Sequence, residues 1–93
     1  MRTTRDMDYI YNMDGKEILI EQRQFDTRNA VIAQYVACRK AKRMTQDELS
    51  KRTGISRPNI CRFESGNYNP SLEMMVRIAS ALDMDLNIQL TER

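Results

Sequence analysis

Nine basic side chains fall between residues 27 and 69: Arg28, Arg39, Lys40, Lys42, Arg43, Lys51, Arg52, Arg57 and Arg62. Only three acids, Asp47, Glu48 and Glu64, accompany them, so this stretch carries +6 while residues 1–26 and 70–93 each carry −2. A cationic segment framed by acid attracts a polyanion by releasing its counterions; the competing description is a solvated helical surface with no such partner. Covalent chemistry has little to work with. The chain contains no histidine, which removes the commonest general base, and shows no GxGxxG, GxxxxGK[ST] or GxSxG pattern. Its three glycines, Gly15, Gly54 and Gly66, lie too far apart to cradle a phosphate and read as turn residues. Cys38 and Cys61 stand 23 positions apart without a CxxC partner, so a zinc site would need mainly carboxylates. Both cysteines read as reduced thiols packed inside. The expectation is a protein that is not an enzyme and holds no metal or cofactor.

The elements that must position these charges follow from length and punctuation. Ninety-three residues, 41% apolar and 30% charged, allow one small folded domain plus a short arm. No apolar run exceeds four residues (Ile18–Ile20, Val31–Ala33 and Tyr35–Cys38 are examples), too short to cross a bilayer, and residues 1–8 show no secretory signal, which predicts a cytoplasmic protein. From Thr27 to Arg43 there is no Gly or Pro, and Val31, Tyr35, Cys38 and Lys42 fall on one helical stripe. Thr45-Gln46-Asp47-Glu48 is a capping box that starts a short second helix, which Gly54 ends. Ser56 caps a third helix over 57–65, with Pro58 tolerated in its first turn and Gly66 as its stop. Ser71 caps a fourth, in which Leu72, Met75, Val76, Ala79 and Leu82 recur at helical spacing. Tyr35, Cys38, Met44, Leu49, Ile55, Ile60, Phe63, Leu72, Ile78, Ala79 and Leu82 make the expected core, and the methionines read as gap-fillers within it.

Two short helices joined by a Gly-containing turn, the second opening on basic residues, outline a helix-turn-helix. Residues 44–72 (Met-Thr-Gln-Asp-Glu-Leu-Ser-Lys-Arg-Thr-Gly-Ile-Ser-Arg-Pro-Asn-Ile-Cys-Arg-Phe-Glu-Ser-Gly-Asn-Tyr-Asn-Pro-Ser-Leu) resemble the signature of the Xre family, relatives of lambda repressor and Cro. The likeness covers about 29–84 and combines the TQ-E-L opening, the Gly-Ile-Ser turn, the I-x-x-F-E-x-G close and the N-P-S-L start of helix four. Ser50 departs from the family's usual Ala, and Arg43 stands where the family often has Gly, so the turn between helices one and two is open to a different construction.

The resemblance implies an all-α, lambda-repressor-like bundle of four or five helices with an N-terminal arm and a short C-terminal β-strand. It also implies site residues. Helix three would enter the major groove of double-stranded DNA with Arg57, Pro58, Asn59 and Arg62 toward the bases. Arg57 is the first choice as a base reader, because a guanidinium spans guanine O6 and N7 with two parallel bonds. Either arginine on a phosphate alone is the competing assignment. Gln46, Ser56, Asn67, Tyr68 and Arg43 are expected on phosphates, Gln46 from a helix N-terminus whose free amides favour anions. In the family the acid at Glu64 pairs with the arginine at Arg39, which predicts a structural ion pair between helices one and three.

The flanks suggest partners. Leu86, Ile88 and Leu90 alternate with polar residues at a period of two, which predicts a strand that pairs with its copy across a two-fold axis. The arm reads either as a hairpin with a two-residue turn at Asp14-Gly15 or as a helix opening at Asp14. The division expected is therefore an arm at 1–26, a DNA-binding domain at 27–84 and a dimerising strand at 85–93. The function expected is a sequence-specific, dimeric repressor on a palindromic operator. Antitoxins of the HigA and HipB type resemble this plan, which adds a cognate toxin as a partner. A protein-interaction module that keeps the fold without reading DNA is the alternative.

Overall fold

A computed structural model describes residues 9–92, and their elements are β1 (Tyr9–Tyr11), β2 (Glu17–Leu19), α1 (Ile20–Ala41), α2 (Gln46–Thr53), α3 (Arg57–Ser65) and α4 (Leu72–Ala81). The chain divides into two compact units, Met1–Val31 and Ile32–Arg93. Residues 1–8 of the expected arm, and Arg93 at the end of the expected strand, lie outside the described residues.

In the first unit, β1 and β2 pair antiparallel with Tyr9 opposite Leu19 and Tyr11 opposite Glu17. The turn is longer than the two residues expected. Asn12 N–H donates to Lys16 O at 3.0 Å, which leaves Met13, Asp14 and Gly15 in the loop. The Asn12 side-chain oxygen accepts from the amides of Asp14 and Lys16, and Gly15 sits at φ +82°, so Asn12 organises the turn and glycine takes its left-handed position. No helix opens at Asp14. Instead α1 starts at Ile20, directly after β2 and seven residues before Thr27, because neither Gly nor Pro occurs between Gly15 and Gly54 to stop it.

The second unit is built on Leu49, Ile60, Phe63, Ile78 and Leu82, all nearly inaccessible to solvent, with Ile32, Tyr35, Ala79 and Thr53 also buried. Of the stripe expected on α1, Tyr35 is buried, Val31 and Cys38 are half-buried and Lys42 is exposed, while Ile32 is buried and the Arg39 side chain is 12% exposed. Tyr35 packs edge-on against Phe63 (ring centroids 5.1 Å, 81°) and donates its hydroxyl to Met75 O at 2.9 Å. Burial pushes the Tyr35 phenol above its ordinary pKa, which keeps that donor protonated. Leu72, expected in the core, is 59% exposed although it lies in step with Ala79 one heptad on: it is the first residue of α4, and the buried residues Ile78, Ala79 and Leu82 lie at the other end of the helix. Cys61 is exposed and Cys38 half-buried, both as free thiols, so the packed pair expected from the sequence is not found. Ile60 and Phe63 fix the inner face of α3 and leave Cys61 on the outer one.

Residues 85–92 form no strand. Among the described residues the one ladder is that between β1 and β2, and the pairing expected of 85–93 is with a second copy. Leu86 is half-buried beside Tyr35, Cys38 and Leu82, whereas Ile88 and Leu90 are exposed.

Caps account for the helix ends. Thr45 Oγ1 accepts from Glu48 N–H at 3.0 Å and Glu48 Oε1 accepts from Thr45 N–H at 2.8 Å, so the box is reciprocal. The hydrogen bond from Thr45 N–H holds the exposed Glu48 carboxyl below its ordinary pKa. Ser56 and Ser71 cap α3 and α4 through the amides of Asn59 and Met74. After α1 the chain closes as a Schellman turn, Met44 N–H donating to Arg39 O and Arg43 N–H to Lys40 O, with Arg43 at φ +56°. The turn thus has the geometry glycine would give it, although arginine occupies it. Arg43→Gly is expected to raise stability by about 1 kcal/mol, roughly 4–8 °C in Tm, since the left-handed conformation costs a residue with a Cβ that much or more. Thermal unfolding checks this; an unchanged or lower Tm would show that the turn carries no strain.

Candidate nucleic-acid interface

α2 and α3 meet through a turn that their own side chains tie. Ser50 Oγ donates to Ile55 O, Thr53 Oγ1 donates to Leu49 O at 2.7 Å and accepts from Ile55 N–H at 3.1 Å, and Gly54 takes φ +78°. Serine at position 50 is therefore a connection across the turn as well as a small residue. Arg77 of α4 donates from Nη1 to Thr53 O at 3.3 Å and pairs with Glu73, so the end of α2 is held from a second side.

Below this turn lies a buried polar network. Arg39 donates from Nε to Glu64 Oε2 at 2.7 Å, from Nη2 to Glu64 Oε1 at 3.0 Å, and from Nη1 to Met44 O at 2.8 Å. The two side chains are only 12% and 8% exposed. Gln46 adds a third donor, its Nε2 lying 3.0 Å from Glu64 Oε1. Glu64 thus receives three hydrogen bonds and joins α1, α2 and α3, and its charge is withdrawn from the outer surface of α3.

That outer surface carries Arg57, Pro58, Asn59, Cys61 and Arg62, all exposed. Arg57 Nε lies 3.6 Å from Asp47 Oδ1 in the first turn of α2. Arg62 donates from Nη1 to Asn59 Oδ1 at 2.7 Å, which occupies the amide oxygen of the residue expected to face a base.

The residues expected on phosphates differ in what they have free. The half-buried Gln46 side chain donates to Glu64, and its backbone N–H is among the helix-start amides of α2 that have no partner within the helix. The half-buried Tyr68 places its hydroxyl 2.8 Å from Met74 Sδ. Ser56 Oγ caps α3 by accepting from Asn59 N–H at 3.4 Å. Asn67 and Arg43 are exposed. Lys42 donates to Leu82 O at the end of α4 and so serves as a cap rather than a free cation.

Sequence reasoning missed Asp47 and the exposure of Cys61. Asp47 is ten residues from Arg57 across a glycine turn, a separation at which no periodicity reports contact. Cys61 was legible, because it directly follows Ile60 on a helix whose inner face is Ile60 and Phe63. Among the described residues no group of three Cys, Asp or Glu side chains is placed to hold a metal ion, and no helix is long and apolar enough to cross a membrane.

The protein-family model described as helix-turn-helix matches residues 37–89. An HTH-type transcriptional regulator of Haemophilus influenzae is 31% identical over 68 residues, which are 73% of this chain and 69% of that one. The ImmF control region 10 kDa protein of Bacillus phage phi105 is 40% identical over 50 residues (54% of this chain, 56% of its own). The HTH-type transcriptional regulator y4dL of Sinorhizobium fredii is 38% identical over 56 residues, 60% of this chain but 29% of its own. The chain therefore spans about half or less of the length of several relatives it matches. Residues 37–89, which the family model matches, carry the Thr45 box, the Gly54 turn and the Arg39–Glu64 network, and the chain belongs to the helix-turn-helix family of Xre type.

Proposed function

We propose that this protein is a sequence-specific DNA-binding transcription regulator that lays α3 in the major groove. The observation that carries the reading is the outer face of α3: Arg57 and Arg62 are exposed there while the helix's one acid, Glu64, is buried against Arg39. A helix that hides its acid and shows its cations at and after its N-terminus fits a groove lined by phosphate and base acceptors. Arg57 and Arg62 would address bases. Pro58 would offer an apolar contact, and Asn59 would hold Arg62 or use its amide nitrogen. Arg43, Asn67, Ser56, Tyr68 and the Gln46 amide would lie toward phosphates. The transcriptional regulators among the relatives support the same reading.

The finer reading is a cytoplasmic homodimer that represses from a palindromic operator, its recognition helices about 34 Å apart, with no catalytic step. The exposed Ile88 and Leu90 support a contact between copies through residues 85–92. Exposed Tyr9, Ile10, Tyr11 and Met13 on and beside the hairpin favour a protein partner for the arm, in keeping with an antitoxin that also binds its toxin.

Salt titration separates this reading from an interaction module without DNA binding. With about five phosphate contacts per subunit, the log–log slope of affinity against salt should be on the order of −4 to −5 per subunit, measured by anisotropy on duplex DNA. A flat dependence on mixed-sequence duplexes and on native upstream DNA would favour the interaction module.

A further inference from the structure

We infer that Asp47 is a positioning residue for Arg57, and that the base Arg57 reads is guanine. This rests on the DNA-binding reading of α3 and adds to it the identity of one base and the residue that sets it.

The three acids of the cationic stretch can be accounted for one by one. Glu48 closes the capping box with Thr45, and Glu64 is enclosed by Arg39 and Gln46. Asp47 is left, 66% exposed on the same side of the molecule as the first turn of α3, where an unneutralised carboxylate would repel the phosphates that the neighbouring cations attract. Its ion-pair partner is Arg57, 61% exposed, with Nε 3.6 Å from Asp47 Oδ1. A pair this open to water contributes little to folding, so its consequence lies in what it does to the arginine.

At 3.6 Å the Asp47 carboxylate attracts the Arg57 guanidinium by charge without taking one of its hydrogen bonds, so it biases where the group sits and leaves its donors open to DNA. Arg57 makes no other polar contact among the described residues. A fork of donors held near the start of α3 matches guanine, which presents O6 and N7 side by side as acceptors in the major groove. Adenine places its N6 donor beside N7 and opposes such a fork. Without Asp47 the same side chain is free to swing to the nearest phosphate, where it adds affinity but reads nothing. Asp47 therefore trades non-specific attraction for discrimination.

The experiment is selection from a random-sequence duplex pool by the full chain, by Asp47→Asn, by Arg57→Ala and by the double variant, with thermal unfolding of each. The native chain should enrich a motif holding a guanine that Arg57→Ala no longer requires, with a preference of roughly 5- to 150-fold over the other bases. Asp47→Asn should cut that preference about fivefold or more and leave the other positions of the motif and the melting midpoint unchanged. It should have no further effect when Arg57 is already alanine, which a merely structural role for Asp47 would not produce. If Asn lowers the midpoint, Asp47→Ser supplies a second uncharged residue suited to the first helical turn, and the same loss of guanine preference is expected. Loss of guanine in Arg57→Ala but full retention in Asp47→Asn or Asp47→Ser would overturn the role of Asp47 and leave the DNA-binding reading standing. Enrichment of no motif by the native chain would overturn both.

Discussion

Glu64→Ala is expected to destabilise the helical unit by about 3–5 kcal/mol, a loss comparable with the whole stability of many small domains. The physical cause is what remains behind. Arg39 keeps its hydrogen bond to Met44 O but loses both bonds to the carboxylate, and its charge stays in a site where only 12% of the side chain meets solvent. Gln46 loses its acceptor as well. The cost belongs to the orphaned cation rather than to the pair, so replacing both members with apolar residues, Arg39→Met with Glu64→Leu, should recover most of it. Urea unfolding of the single and double variants measures the difference. A single-variant loss below about 1 kcal/mol, the range of exposed pairs, would show that water already reaches Arg39. DNA binding should fall with the folded fraction in Glu64→Ala and return in the double variant.

Phe63→Ala should cost a similar amount, about 3–5 kcal/mol, for a different reason. The ring is 1% exposed and lies 5.1 Å from Tyr35 at 81°, so truncation removes buried apolar area, leaves a cavity, and ends an edge-to-face contact. Phe63 and Ile60 are the inner face of α3, and the outer face keeps its aim only while they stay seated. Phe63→Leu retains much of the volume and should cost distinctly less. Thermal unfolding compares the two; equal losses would mean that the aromatic contact, rather than the cavity, dominates.

Helix termini were the most legible part of this chain. Thr45 with Glu48, Ser56 with Pro58, Gly54, Gly66 and Ser71 each act within four residues of themselves, and α2, α3 and the start of α4 stand where those signals place them. The start of α1 was not legible, because a helix without a cap or a breaker near Thr27 is bounded only by what precedes it, here β2. The turn at Arg43 was open for the converse reason: its Schellman geometry is satisfied by backbone bonds, and the side chain announces nothing. Leu72 shows the limit of apolar periodicity, since it repeats in step with the core of α4 and still faces water.

The interface divides in the same way. The residue types on α3, the cationic balance of residues 27–69 and the spacing of the turn are properties of the chain in one dimension, and they bring the candidate surface into view. Which of those side chains remain free is decided by neighbours distant in sequence: Glu64 holds Gln46 from 18 residues away, Met74 takes the Tyr68 hydroxyl, and Asp47 meets Arg57 across the turn. Local backbone preference and capping act over a few residues and can be read from order alone. Hydrogen-bond partnership at distance depends on how the helices cross, and only the packed structure specifies that.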